Sequence, residues 1–193
     1  IAFANELAVL ADRQGVNIWE LVRLANHHPR VNILNPGPGV GGHCIAVDPW
    51  FLVDADPEQA QLIRTAREVN DSIPGRVIAK VKQALTGIDK PTIACLGLAF
   101  KANVDDLRES PAMNICLALA TMQGVNIAAV EPHISELPEQ LKQYSNVTLT
   151  VTETAIRAAD VIVLLVDHQR FRDIPTLFDL SSVKVIDTRG QWE

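Results

Sequence analysis

Long apolar runs are missing from this sequence: none of its 193 residues belongs to a stretch of the ~20 needed to cross a bilayer, and no signal peptide opens it. Cysteine is scarce. Three residues, an odd number without paired spacing, speak against a disulfide framework or a zinc site and fit a reducing, cytoplasmic setting. The five histidines make no metal-ligand constellation, because His27 and His28 are neighbours and the others stand far apart. Positive charge is also short. Lys and Arg number 17 against 23 Asp and Glu, for a net charge of −6, and the lack of a basic stripe argues against nucleic-acid binding as the main task. Repeats and low-complexity segments are absent. What remains is the composition of a soluble globular protein, 48% hydrophobic and 21% charged, long enough for one large or two small domains.

The stretch that carries chemistry is Asn35 to Val53, NPGPGVGGHCIAVDPWFLV. Between Pro36 and Gly42 every residue except Val40 is glycine or proline. Such a loop has almost no side-chain bulk, and its glycines let the backbone approach a ligand closely. Cys44 follows. Asp48-Pro49 reads as an N-cap followed by proline at the first helical position, with Trp50, Phe51 and Leu52 as the buried start of that helix. Cys44 then stands near a helix N-terminus, an environment that favours the reactive thiolate. A free cysteine is more often a small buried hydrophobe. Cys95, inside TIACLGLAF, and Cys116, on an apolar helix face with Met113 and Leu119, fit that description. For Cys44 the glycine density favours a nucleophile, since a core cysteine needs no such loop.

Helical spacing is already in progress at Ile1, through Phe3, Leu7 and Leu10, with no cap before it. The sequence therefore reads as a fragment whose first helix is cut. Gly15 ends that helix. Asn17 caps the next, Glu20 completes a capping box, and Ile18, Leu21, Val22 and Ala25 form the buried face. Asp56-Pro57 starts another helix, Asn70 to Gly75 interrupt it, and the pattern resumes with Val77, Ile78, Val81 and Leu85. From Lys90 the character changes. TIACLG, NIAAV (126–130), VTLTV (147–151), VIVLLV (161–166) and VKVID (183–187) read as strands alternating with helices, one of them capped by Ser110-Pro111.

The expected fold is α/β. A helical dimerisation domain, residues 1–86, is followed by a doubly wound parallel-sheet, Rossmann-like domain, residues 87–193, with the helix of residues 73–86 as the link. Ligands bind at the carboxyl ends of such strands. The first strand does not open into G-x-G-x-x-G; after Gly97 come Leu98, Ala99, Phe100 and Lys101. The sheet thus reads as nucleotide-binding without the dinucleotide loop. Glu131, at the end of the second strand, sits where an acidic residue could hold a ribose.

GPGVGGHCIAVDPWFL resembles the nucleophile signature of the UDP-glucose/UDP-mannuronate dehydrogenase family, the UDP-sugar 6-dehydrogenases. His43 before the cysteine and VDP after it resemble the UDP-N-acetylhexosamine branch, with UDP-N-acetylmannosamine as the sugar. GLAFKANVDDLRESP and Asp187-Thr188-Arg189-Gly190 resemble two further family signatures. The resemblance covers essentially the whole sequence and the latter part of a family chain. It implies an NAD-dependent, four-electron oxidation of a C6 alcohol to a carboxylate, for surface polysaccharide precursors such as those of enterobacterial common antigen. Cys44 is implied as the nucleophile, forming a thiohemiacetal and then a thioester. Asp48 is implied to orient water alongside its capping role. Gly41, Phe100 and Lys101 would lie against the UDP-sugar and Arg189 would grip it. His28 and Arg30 would reach it, often from a neighbouring subunit. Arg108 would reach the pyrophosphate of an NAD held mainly by a preceding domain. The family's catalytic lysine and partner asparagine fall ahead of Ile1. The expectation for this polypeptide is therefore weak UDP-sugar binding without turnover, in a cytoplasmic homodimer, with no metal and no membrane. Two other readings stay open: UDP-glucose as the sugar, or a non-catalytic nucleotide-sugar-binding and dimerisation module. A cysteine acyltransferase or hydrolase would need a base beside Cys44, and His43, adjacent in sequence, is a poor partner.

Overall fold

The computed structural model describes residues 1–192. Its first part is helical: α1 (Ala2–Gln14), α2 (Ile18–Ala25), α3 (Asp48–Ala55) and the long α4 (Gln61–Ala84), on which α1 and α3 pack. Gly15 closes α1 at φ 67°, a left-handed conformation that glycine adopts without steric cost. The Asn17 side chain caps α2 by accepting from the Trp19 and Glu20 N–H groups. Val22 is the buried residue of α2, while Ile18, Leu21 and Ala25 are half-buried.

Four local expectations are corrected by the structure. Asp48 is not the cap of α3 but its first residue; Val47 holds the cap position and no side chain caps the helix. Trp50, Phe51 and Leu52 are 39%, 67% and 58% exposed, because this two-turn helix leans on α4 through one side and buries only Val53. Asn70 to Gly75 do not interrupt α4, which runs straight through Pro74. A mid-helix proline loses one hydrogen bond and costs about 3 kcal/mol. Ile73, Val77 and Val81 bury themselves in the core on the same face, and that burial holds the helix together. Asp56 starts no helix either. Its carboxylate accepts from the Gln59 N–H in a turn, and α4 begins at Gln61.

The second part alternates strand and helix: β1 (Thr92–Leu96), α5 (Pro111–Ala120), β2 (Asn126–Val130), α6 (Glu139–Lys142), β3 (Val147–Leu149), α7 (Thr152–Ala158), β4 (Val161–Leu164), a 3-10 turn at Gln169–Phe171, α8 (Ile174–Leu177) and β5 (Lys184–Asp187). The strands form one parallel sheet in the order β3-β2-β1-β4-β5, with Leu96 level with Val130 on one side and Leu164 on the other. Both faces are covered, which explains the near-continuous apolar strands. One face packs Ile93, Cys95, Val161 and Val163 against α4 and α5; the other packs Ala94, Leu96 and Ile162 with Ala155, Phe171 and Ile174. Cys95 and Cys116 are fully buried core residues, and contact with Cys116, then burial, pushes the Cys95 thiol well up. Because α4 packs on α5, β4 and β5 as well as on α1 and α3, it fixes the helical layer to the sheet.

The start of α5 abuts the glycine loop and is held by its own cap. Ser110, 1% exposed, accepts the Met113 N–H at 3.3 Å. Ser110→Ala should cost about 1 kcal/mol, seen as a lower urea midpoint at unchanged slope.

Candidate active site

Strand order reverses at β1, with β2 on one side and β4 on the other, so the crevice outside their carboxyl ends is the place for a ligand. The glycine loop lies against it. The loop is held from below by Asn5, 1% exposed on α1, which accepts the Gly37 N–H and donates to Asn70 on α4, both at 2.9 Å. Sequence reading missed this pair. Its signal was a polar residue at a buried position on each helix.

The bulk that the glycines make room for is the protein's own. A Cβ on Gly37 would strike the Arg189 guanidinium, one on Gly39 would reach Pro111 at 2.9 Å, one on Gly41 would strike the Glu109 carbonyl, and one on Gly42 would meet the Phe100 ring at 3.1 Å. The Gly42 N–H donates to the Arg108 carbonyl at 3.2 Å. The loop is thereby seated on the segments that carry Phe100, Arg108 and Arg189. Gly37 to Gly42 also happens to fit G-x-G-x-x-G, yet no strand precedes it, and it opens no helix until α3.

Cys44 is exposed and free, in the turn just before α3. Its carbonyl accepts the Val47 N–H at 3.0 Å and the Asp48 N–H at 2.8 Å, which pins the turn and leaves the sulfur unencumbered. The Asp48 carboxylate is exposed one turn on. Arg108 folds back on Asp106, with Nη2 at 2.6 Å from Oδ2, and its guanidinium pulls the Asp106 carboxyl down to about 2. Asp106 in turn raises Arg108, with a smaller contribution from Cys44, so the cation stands in electrostatic reach of the sulfur.

Phe100, Lys101 and Arg189 meet in the crevice together with Gly39 and Asp167. Lys101 Nζ lies 5.3 Å over the Phe100 ring, and Arg189 Nε donates to Asp167 Oδ1 at 2.8 Å. The space enclosed there is about 20 Å³, whereas ligand pockets run to roughly 300–1,000 Å³. A cavity of about 490 Å³ lies elsewhere, between α1, α4 and β5, and neither Cys44 nor Lys101 lines it. His28 and Arg30 are not brought to the crevice. They sit exposed in the turn after α2, where the Arg30 N–H donates to His28 Nδ1 at 3.3 Å.

The expectation for Glu131 is overturned. Its side chain is fully buried and turned inward, where Oε2 accepts the N–H groups of Leu98 at 2.8 Å and Ala99 at 3.0 Å. The carboxylate is sealed from solvent and therefore closed to a ribose. Burial pushes the Glu131 carboxyl up, but hydrogen bonds from His168, Leu98 and Ala99 outweigh it and leave the pKa below the usual carboxylate value. With that turn filled and only Gly97 after β1, the residues of this sheet do not fit a dinucleotide. Nor do Glu131, His133 and His168 make a metal site, although their ligand atoms lie within 4.8 Å of one another. The Asn103 N–H donates to His168 Nδ1 at 2.9 Å, so the ring proton must sit on Nε2, which then has no lone pair to offer.

The fold is a doubly wound α/β sheet, and the glycine loop seated against its switch-point side leads into a solvent-facing thiol. Residues 94–193 match the UDP binding domain of the UDP-glucose/GDP-mannose dehydrogenase family, and residues 1–72 match that family's central domain. The chain belongs to the UDP-glucose/GDP-mannose dehydrogenase family. It is 59% identical over 192 residues to the NDP-N-acetyl-D-galactosaminuronic acid dehydrogenase of Ralstonia solanacearum, covering 100% of this chain and 44% of that protein. It is 54% identical over 200 residues to the UDP-N-acetyl-D-mannosamine dehydrogenase of Salmonella typhimurium, covering 100% of this chain and 47% of that one. The chain thus spans about half the length of the curated relatives it matches. Among solved structures, the UDP-N-acetyl-mannosamine dehydrogenase Cap5O of Staphylococcus aureus superposes with a TM-score of 0.81 at 36% identity, over 98% of this chain and 44% of that one. The corresponding enzyme of Pyrococcus horikoshii gives 0.83 at 34%, over 100% and 45%.

Proposed function

We propose that this chain is the nucleophile-bearing and UDP-binding part of an NAD-dependent UDP-sugar 6-dehydrogenase, acting on a UDP-N-acetylhexosamine and, in particular, on UDP-N-acetylmannosamine. The observation that carries this reading is the exposed Cys44 on a loop seated directly against Phe100, Arg108 and Arg189. In the proposed reaction the C6 alcohol first becomes an aldehyde, giving up a proton, and a hydride to one NAD⁺. The Cys44 thiolate then adds to that aldehyde, forming a C–S bond while the carbonyl oxygen takes up a proton, and the second hydride goes to a second NAD⁺. The thiohemiacetal carbon can surrender hydride where a free aldehyde cannot easily do so, and water then cleaves the resulting thioester to carboxylate and thiol. NAD⁺ supplies the hydride acceptor and is held outside this sheet, with Arg108 as the contact from this chain. Asp48 orients the water. Lys101 and Arg189 bind the diphosphate through charged hydrogen bonds, Phe100 and Gly41 line the site, and His28 and Arg30 reach the site of a second copy. The product is a uronate donor for surface polysaccharide.

The proposal includes division into residues 1–86 and 87–193, and a cytoplasmic homodimer formed through the helical layer. Phe3, Phe51, Leu52 and Leu62 are 67%, 67%, 58% and 82% exposed on α1, α3 and α4, an apolar surface that dimerisation would cover. No helix among the described residues is long and apolar enough to cross a membrane.

Calorimetry on the 193-residue chain tests the reading. UDP and UDP-N-acetylmannosamine should bind, NAD⁺ should not, and the chain alone should form no NADH. Lys101→Ala and Arg189→Ala should each weaken UDP about ten- to a hundredfold, the scale of one charged hydrogen bond. Tighter binding of UDP-N-acetylgalactosamine or UDP-glucose would reassign the sugar. Failure to bind any uridine nucleotide would overturn the proposal.

A further inference from the structure

The turn after the first strand of a doubly wound sheet presents backbone N–H groups that commonly take a phosphate. In this chain the Leu98 and Ala99 N–H groups already have an anion, the carboxylate of Glu131 at the end of β2. Two more donors complete its shell: His168 Nε2 at 3.0 Å from Oε2, and the His133 N–H at 3.2 Å from Oε1. The side chains of Glu131 and His168 are both 0% exposed. A buried carboxylate is expensive unless its lone pairs are met, and these four donors meet them. An apolar residue in its place would leave three buried donors empty, which is worse.

We propose that Glu131 is a positioning residue for the nucleotide site, standing in permanently for a phosphate in the β1 turn and so fixing the loops that carry Phe100, Lys101 and Arg189. The inference rests on the UDP-binding function proposed for this chain. Leu98 and Ala99 lead directly into Phe100 and Lys101. On the other side, His168 follows Asp167, the residue that holds Arg189. His168 also takes the Asn103 N–H on Nδ1, its carbonyl accepts from Gln191 Nε2 at 3.0 Å, and the Gln169 N–H returns to Asn103 Oδ1 at 3.0 Å. The loops after β1, β4 and β5 are thereby tied together around one carboxylate. The anion-binding capacity of the turn is spent on geometry, which leaves the Lys101 and Arg189 side chains to take the substrate's charge.

The position of the carboxylate, and not its charge alone, is what the proposal requires, and substitutions separate the two. In Glu131→Gln the amide oxygen can occupy the place of Oε2 and keep the bonds from Leu98, Ala99 and His168. In Glu131→Asp the charge remains, but the side chain is one methylene short. Calorimetry with UDP should find Glu131→Gln close to the parent chain and Glu131→Asp weakened at least about tenfold. Glu131→Ala should be weakened further, and added acetate should restore its UDP affinity saturably by refilling the turn. Leu141→Ala, a core change on the buried side of α6, should lower stability without any acetate-dependent gain in affinity. The proposal is overturned if Glu131→Asp binds UDP like the parent while Glu131→Gln does not, or if acetate restores the melting temperature of Glu131→Ala without restoring affinity. Should Glu131→Ala fail to fold, the order of the Gln and Asp variants decides. A parent chain that bound no UDP would remove the functional reading and this inference with it, whereas a parent that binds UDP with Glu131→Asp as tight as Glu131→Gln would overturn this inference alone.

Discussion

Cys44→Ala should stop uronate formation by the dehydrogenase proposed above, with a fall of at least about 10³-fold, and should leave UDP affinity unchanged. The expectation follows from where the sulfur is. Cys44 is exposed, whereas Cys95 and Cys116 are sealed in the core between the sheet and α5. The turn that holds Cys44 is fixed by its own carbonyl, which accepts from Val47 and Asp48, so truncating the side chain removes no structural bond. The loss should therefore be chemical, a failure to form the thiohemiacetal, with aldehyde released or held in its place. Cys44→Ser should do little better, since a hydroxyl is a far weaker nucleophile than a thiolate without an adjacent base. Iodoacetamide followed by peptide mapping provides an independent check on the 193-residue chain. Cys44 should be alkylated first, Cys95 and Cys116 only on unfolding, and a UDP-sugar should protect Cys44. Full uronate formation by Cys44→Ala would remove the covalent mechanism and leave a dehydrogenase that oxidises the aldehyde without a thiohemiacetal on Cys44.

The parts of the fold legible in the sequence are those in which local pattern and tertiary environment agree. The run NIAAV became β2 residue for residue, since a strand buried on both faces reads as a continuous apolar run, here the four residues after the exposed Asn126. Asn17 and Ser110 became caps because capping is settled within three residues. Where the two levels compete, local signals misled. Pro74 is a strong stop signal that the burial of Ile73, Val77 and Val81 overrides. The triplet Trp50, Phe51 and Leu52 looks like core, yet the described residues supply no surface to bury it. The candidate site divides in the same way. Cys44 and its glycine loop are contiguous and could be read directly. Asn5 with Asn70, and Glu131 with His168, are pairs 65 and 37 residues apart in sequence. Nothing local distinguishes such a residue from a solvated one, and for that reason Glu131 reads as a ligand contact in the sequence when its partners are the protein's own N–H groups.

Gly41→Ala should cost about 1–3 kcal/mol of stability, the range for overpacking, and should lower uronate formation about a hundredfold, the scale set by a 1 Å misplacement of a reacting group. A methyl group on Gly41 points at the Glu109 carbonyl, with Pro111 Cδ at 2.8 Å and Phe100 Cβ at 3.0 Å behind it. The first of these is backbone and the second belongs to the opening turn of α5, so neither can swing aside as a flexible side chain would. The loop must lift instead, and Cys44, three residues on, lifts with it. Gly75→Ala supplies the contrast. Gly75 lies in α4 with nothing within 4 Å of the added methyl, so the change should stabilise the chain by about 0.4–1 kcal/mol and leave alkylation of Cys44 unaltered. Denaturant midpoints and the rate of Cys44 alkylation, measured side by side on the two variants, separate loop seating from general stability. Equal alkylation rates at unequal midpoints would show that the sulfur does not depend on how the glycine loop sits against Phe100 and Glu109.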